Sequence, residues 1–325
     1  MMEECEEEDR RQKTEDRRQK TLRLRSGQAG DRRQKKTVEE WSDGVMEQWS
    51  SGLMRDVLVA AVCMHSEPAE VEKNLERMES FVGEASDKKA HAVLFPELSI
   101  SGYVLKNPEK IYDLARSGRI VEKIVRMAHD AKLIIMAGMV EILQQGRPYI
   151  TQVVAGPGGL LGLYRKTHLS PQEKERYREG DSLEVFRAGD LTFGLELCYE
   201  SHFPEISTVL CLKGAEILFM PHASPRGDAD GKTKSWLRHL PSRAFDNGVF
   251  VVACNQVGKT KEGFFFPGVI LALDPQGRVL ESYSGDEETM VFVELKAKVL
   301  QETRGHRMKY FIPHRRKELY KDIVS

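Results

Sequence analysis

No apolar run in this 325-residue chain exceeds eight residues; the longest are Val57 to Met64 and Leu133 to Val140. A bilayer span needs roughly 20, so a membrane helix is not expected. No early apolar stretch precedes a small-residue cleavage site, which argues against a secretory signal. There is no excess of positive charge either. Lys plus Arg number 49 against 50 Asp plus Glu, so a protein held to nucleic acid by bulk charge is excluded. The five cysteines form no C-x-x-C and are odd in number, which fits neither a disulfide framework nor a zinc ribbon. A reducing cytoplasm is the simplest compartment. None of the nine histidines has metal-ligand spacing to another His or Cys. What is present is a 40% hydrophobic content, enough for a real core.

That content is unevenly spread. Residues 1–53 hold 12 basic and 13 acidic side chains and only 12 apolar ones. Asp-Arg-Arg-Gln-Lys starts at Asp9, Asp16 and Asp31, and Trp41-Ser-Asp-Gly is echoed at Trp49. No helical or strand period runs through this repetitive segment, so disorder is expected, with Met54 a plausible true start. Residues 54–325 carry 37 basic and 37 acidic residues. Their length suits one large domain.

Strands and helices alternate through that domain. Val57 to Met64 reads as a buried strand, and Val71, Leu75, Met78, Phe81, Val82 and Ala85 fall on one helical face. Strands are expected at His91 to Phe95, Leu133 to Val140, Thr151 to Ala155, Leu160 to Tyr164, Leu191 to Leu197, Ile217 to Met220 and Val249 to Cys254, with three more near Val269, Val279 and Val291. Helices are expected over Ile111 to Ala128, Pro204 to Lys213 and Ser235 to Asn247. The class is α/β, with helices outside sheet layers.

Three strand ends carry chemistry. After His91 to Phe95 comes Pro96-Glu97-Leu98, where partial burial would raise the Glu97 pKa and suit it to general base work. Leu163-Tyr-Arg-Lys166-Thr-His168 ends another strand. Lys166 could set a positive charge beside a tetrahedral intermediate, and Glu173 could orient it. The strand from Leu191 runs to Cys198-Tyr199-Glu200, where a turn could project the sulfur and aim the Tyr199 N–H at an oxyanion. Taken singly, each has a plainer reading: a core thiol, a solvated carboxylate, an exposed charge pair worth under about 1 kcal/mol. Cys63, Cys211 and Cys254 have only the core reading.

Together, Phe95-Pro-Glu97-Leu, Tyr164-Arg-Lys166-x-His168-Leu and Cys198-Tyr-Glu-x-x-Phe-Pro-Glu205 resemble the nitrilase superfamily of carbon–nitrogen hydrolases. Ser242-Arg-Ala-Phe-Asp-Asn247, Asn255-x-x-Gly258 and Asp274-Pro-x-Gly277 fit as well. The resemblance covers Met54 to the C-terminus and implies a four-layer α-β-β-α sandwich with a catalytic triad of Glu97, Lys166 and Cys198. A second family Glu maps onto Glu173, with Glu175 and Glu179 nearby. Glu200 stands where the family often has Asp. The resemblance further implies a Cys thioester acyl-enzyme, no metal or organic cofactor, a small-molecule amide or N-carbamoyl substrate, and a homodimer or larger assembly. Cys198-Tyr-Glu followed by Phe-Pro-Glu looks closer to the amidase and carbamoylase side than to true nitrilases. Nitrile hydrolysis and a non-catalytic scaffold on the same fold are the alternatives. The pocket rim is expected to include Tyr103, Tyr199, Glu200, His202 and His222, with Arg226, Arg238 and His239 as possible carboxylate binders.

Overall fold

A computed structural model describes residues 55–105, 108 and 114–323. The repetitive segment 1–53 lies outside the described residues.

The described chain forms two six-stranded mixed sheets. The first is built from β1 (Val57–Cys63), β2 (Ala92–Leu94), β3 (Ile134–Glu141), β4 (Tyr149–Gly156), β5 (Gly159–Arg165) and the returning β14 (Thr289–Leu295), in the order β14-β1-β2-β3-β4-β5. The second comprises β6 (Val185–Ala188), β7 (Leu191–Leu195), β8 (Ile217–His222), β9 (Phe250–Asn255), β12 (Gly268–Leu273) and β13 (Val279–Gly285), in the order β13-β12-β9-β8-β7-β6. A small hairpin, β10 (Gly258–Lys259) and β11 (Phe265–Phe266), stands apart. In each sheet the central strands β1-β2-β3 and β7-β8-β9 pair in parallel, and antiparallel strands flank them.

Strand periodicity explains the layers. Along β8, Ile217 and Phe219 enter one hydrophobic cluster while Leu218 and Met220 enter another. β9 and β12 divide likewise, with Phe250, Val252, Cys254, Ile270 and Ala272 facing the first sheet. Val251, Ala253, Val269, Leu271 and Leu273 face the helices. A sheet covered on both faces needs apolar residues at every position, so these strands read as continuous apolar runs. The helices on that side are α4 (Pro204–Leu212), α5 (Ala229–Trp236) and α6 (Leu240–Asn247), which contribute Ile206, Leu210, Cys211, Trp236, Leu240 and Ala244. On the other side, α1 (Val71–Asp87) and α2 (Leu114–Ala131) cover the first sheet. α1 buries Val71, Leu75, Met78, Val82 and Ala85 along one stripe. The result is the α-β-β-α sandwich, with the sheets packed face to face.

Some elements depart from the sequence pattern. The helix expected over Ser235 to Asn247 is two helices. Pro241 has no N–H and its ring would clash with the preceding turn, so it sits in the first turn of α6. β6, the β10–β11 hairpin, the one-turn helix α3 (Pro171–Lys174) and the final helix α7 (Ala297–Arg304) have no strong periodic signature, being short. The start expected for α2 at Ile111 lies outside the described residues. At the C-terminal end, Tyr310 and Ile312 are buried on their own domain, with the Arg304 guanidinium 5.6 Å from the Tyr310 ring.

Candidate active site

Both sheets deliver chemistry at the ends of their parallel strands. β2 stops at Leu94 because Pro96 cannot continue it, and the chain turns with Leu98 at φ +55°. This turn lies directly over β3. A Cβ on Gly138 would sit 2.1 Å from the Leu98 nitrogen, so only glycine fits beneath it. Two buried glutamines hold the turn. Gln152 donates to the Phe95 carbonyl at 3.1 Å and Gln256 to the Glu97 carbonyl at 2.7 Å. Glu97 thereby points inward and is fully buried.

Beyond β5, Lys166 is also fully buried. Its ammonium donates to Glu97 Oε1 at 2.7 Å and to both oxygens of Glu173, at 2.9 and 3.0 Å. Glu173 lies on α3, where its Oε2 accepts the Ser170 N–H at 2.7 Å. Of the carboxylates suggested by the loop, Glu173 faces Lys166, whereas Glu179 pairs with exposed Lys174 and Glu175 is exposed. Glu97 Oε2 accepts the Ala223 N–H at 3.0 Å, from the residue after β8.

β7 ends at Leu195, and Cys198 opens a 3-10 turn running to His202. Its φ of +46° is a left-handed conformation that a side-chain-bearing residue adopts at a cost of about 1–3 kcal/mol. Ser201 secures it by donating Oγ–H to the Cys198 carbonyl at 2.7 Å, and the Arg243 Nε–H donates to the Ser201 carbonyl at 3.1 Å. Among the described cysteines Cys198 is the residue that is not fully buried; Cys63, Cys211 and Cys254 are buried.

The charges form one coupled group. Burial first, then the negative charges of Glu97 and Glu173, pushes the Cys198 thiol up to about 12, against the pull of Lys166 and Lys232. Burial raises Glu97 to about 7, with Lys166 opposing and Glu173 assisting. Burial works to lower the Lys166 ammonium, but Glu97 and Glu173 hold it well above its ordinary value. The resting sulfur is therefore a neutral thiol, and Glu97 is the charged side chain that bears on it most. Among the described residues, no group of three or more His, Cys, Asp or Glu is arranged to hold a metal ion.

The other rim residues are placed as follows. Tyr103 is buried against Phe264 and Phe266, and its phenol is raised by burial and by the charges of Glu173 and Glu97. The Tyr199 ring packs on His202 and Phe203. His202 stacks on His239 at 4.6 Å, and His222 is buried against Trp236 at 4.5 Å. Glu200 is fully buried, and the protein fills both its oxygens. They accept from Tyr164 Oη, from the Thr167 N–H and hydroxyl, and from the Leu197 N–H. Glu200 thus joins the Lys166 loop to the Cys198 loop. Ala223, Gln152 and Lys232 have no signal in the sequence pattern, and Gln256 falls inside Asn255-x-x-Gly258 without standing out. A wide groove of about 960 Å³ between α1 and α2 lies on the outer helical layer and holds none of these residues.

A carbon–nitrogen hydrolase family model matches residues 58–305. The chain belongs to the carbon–nitrogen hydrolase family. By that membership it is an enzyme, a carbon–nitrogen hydrolase. A nitrilase of Pyrococcus abyssi is 32% identical over 275 residues, 81% of this chain and 99% of that protein. An omega-amidase of Homo sapiens is 30% identical over 242 residues, 71% of this chain and 86% of that protein. In fold the chain is similar to a mutant amidase of Nesterenkonia carrying a covalent acetamide moiety at its active-site cysteine. That match has a TM-score of 0.72 at 23% identity and covers 84% of this chain and 97% of the other. No helix among the described residues is long and apolar enough to cross a membrane.

Proposed function

We propose that this carbon–nitrogen hydrolase cleaves amides or N-carbamoyl amides through a thioester on Cys198. The observation that carries the reading is the Lys166 ammonium, fully buried between Glu97 and Glu173 beside a cysteine held at positive φ.

Glu97 takes the thiol proton as Sγ bonds the amide carbonyl carbon, so no free thiolate need accumulate. The oxyanion faces Lys166 and the Tyr199 N–H. Glu97 passes the proton to the amide nitrogen, the C–N bond breaks, and ammonia or an amine departs. Water then bonds the thioester carbon, giving a proton to Glu97. The S–C bond breaks, the acid leaves, and the proton returns to sulfur. Glu173 keeps Lys166 charged and in place. A cysteine suits both half-reactions, being a strong nucleophile and a workable leaving group. The covalent addition of an acetamide moiety at the active-site cysteine of the Nesterenkonia amidase supports a nucleophilic cysteine. Its omega-amidase relative supports amides.

Nitrile hydrolysis is the second reading, favoured by the relative named a nitrilase. An ammonia-release screen over amides, N-carbamoyl compounds and nitriles, with Cys198→Ala as control, separates the two. Turnover retained in Cys198→Ala would end the proposal. Homodimerisation and a reducing, cytoplasmic setting complete the reading. Light scattering on the purified protein tests the first, and cell fractionation the second.

A further inference from the structure

Lys232 is a cation in the wrong place for a surface lysine. It lies on α5, two residues before Lys234. Lys234 behaves as exposed lysines do, pairing with Asp230 one turn back at 2.7 Å. Lys232 has the equivalent carboxylate one turn back, Asp228, and does not use it. Asp228 instead caps the helix by accepting the Gly231 N–H at 2.7 Å. The Lys232 ammonium turns inward and donates to Ser224 Oγ at 2.6 Å.

That hydroxyl is part of the site's frame. Ser224 follows Ala223, whose N–H holds Glu97, and its own N–H donates to Asn255 Oδ1 at 2.9 Å. Asn255 is pinned in turn to the Ser224 and Pro267 carbonyls, at 3.2 and 2.8 Å. Lys232 is thus fastened to the strand end carrying the contact to Glu97. It is only partly exposed, and no carboxylate among the described residues lies within ion-pair distance of it. It lies close enough to interact electrostatically with the Cys198 sulfur, and the Arg226 guanidinium adds a second positive charge beside it. Lys166, by contrast, is already neutralised by two carboxylates. A half-buried ammonium without a counter-ion, with a second cation nearby, is costly unless an anion joins it.

We propose that Lys232 receives an anionic group of the substrate, so that the enzyme acts on amides that also carry a carboxylate. This rests on the reading of the site as an amidase and narrows its substrate class. The carboxylate can belong to the acyl part, as in the monoamide of a dicarboxylic acid. It can equally belong to the leaving part, as in an N-carbamoyl amino acid.

The test uses the full-length Cys198→Ala protein, which binds without turnover and has no sulfur for Lys232 to influence. Affinities are measured by calorimetry for the monoamide of succinic acid, for N-carbamoylglycine, and for neutral butanamide. The expected result is tighter binding of one carboxylated probe than of butanamide. Lys232→Gln should cut that preference by about 10- to 100-fold, the usual worth of a hydrogen bond to a charged group. Lys232→Arg should restore most of it, which a folding defect would not do. The probe that responds identifies which side bears the carboxylate. A preference unchanged in Lys232→Gln, or no preference while Lys232 is present, overturns the proposal. Absence of turnover in the wild-type screen bears on the amidase reading instead, because binding here does not depend on it.

Discussion

Glu97, at the end of a strand of one sheet, accepts a hydrogen bond at 3.0 Å from the N–H of Ala223, at the end of a strand of the other. Its second oxygen meets Lys166 of its own sheet at 2.7 Å. The carboxylate is thus fastened from both sides, and a group held this way is poised without needing to reorganise.

Activity should therefore carry an acid limb. With Glu97 raised to about 7, the base is protonated below that pH and kcat/KM should fall as pH drops through it. Glu97→Gln should remove the limb and lower turnover by about 10²–10⁴. Lys166→Met should cost about 10²–10³ and also lower the melting temperature, because two buried carboxylates lose their counter-ion. Steady-state pH profiles and thermal melts check both.

Thiol labelling should be selective. In the native protein iodoacetamide should modify Cys198 and spare Cys63, Cys211 and Cys254, which are buried. With the Cys198 thiol up near 12, the rate should keep rising with pH well above 8. Peptide mapping by mass spectrometry reads both results. Cys211→Ser should retain activity.

Glu196 should make stability depend on pH. It is fully buried, Ser207 donates to its Oε1 at 2.7 Å, its Oε2 has no hydrogen-bond partner, and burial raises it to about 8. The folded state then holds a proton that the unfolded chain releases near 4.3. The folded state binds more protons through this window, so stability should fall as pH rises from about 4.5 to 8 and level off above. In Glu196→Gln that part of the slope should vanish, making the variant relatively more stable at pH 9 than at pH 5. Melting curves across pH would refute this if the two proteins ran parallel.

Gly138→Ala should damage the site without touching a reactive group. The added methyl would meet backbone at 2.1 Å, which no rotamer change relieves. Overpacking of this kind typically costs about 1–3 kcal/mol or more, and here it displaces the Glu97 turn. A drop in melting temperature together with a drop in kcat is expected.

Much of the sandwich is legible in the sequence because its inner strands are buried on both faces. Ile217 to Met220 and Phe250 to Cys254 can scarcely be anything else. Glu97, Lys166 and Cys198 stand out through their joint motif; none of the three does so alone. What is not legible depends on distant parts of the chain. Ala223 contributes only a backbone N–H, which any residue but proline supplies. Gln152 and Gln256 look like ordinary polar residues until the turn at Glu97 is placed between them. Glu200 reads as a rim carboxylate, yet Tyr164, Thr167 and Leu197 enclose it. Lys232 sits in a polar stretch where every lysine looks solvated. The break before α6 is marked by Pro241, which cannot sit inside a helix that runs on from α5.

The proposed base and nucleophile belong to different sheets, with Phe193, Phe219 and Phe250 in the layer between. Their separation is accordingly a readout of how thick that layer is. Trimming one of its large side chains would let the sheets settle closer or tilt. Carboxylate and sulfur would then fall out of alignment in a molecule whose reactive groups were all still in place. The interior of this enzyme works as a spacer, and its tolerance for substitution should be set by catalysis before it is set by folding.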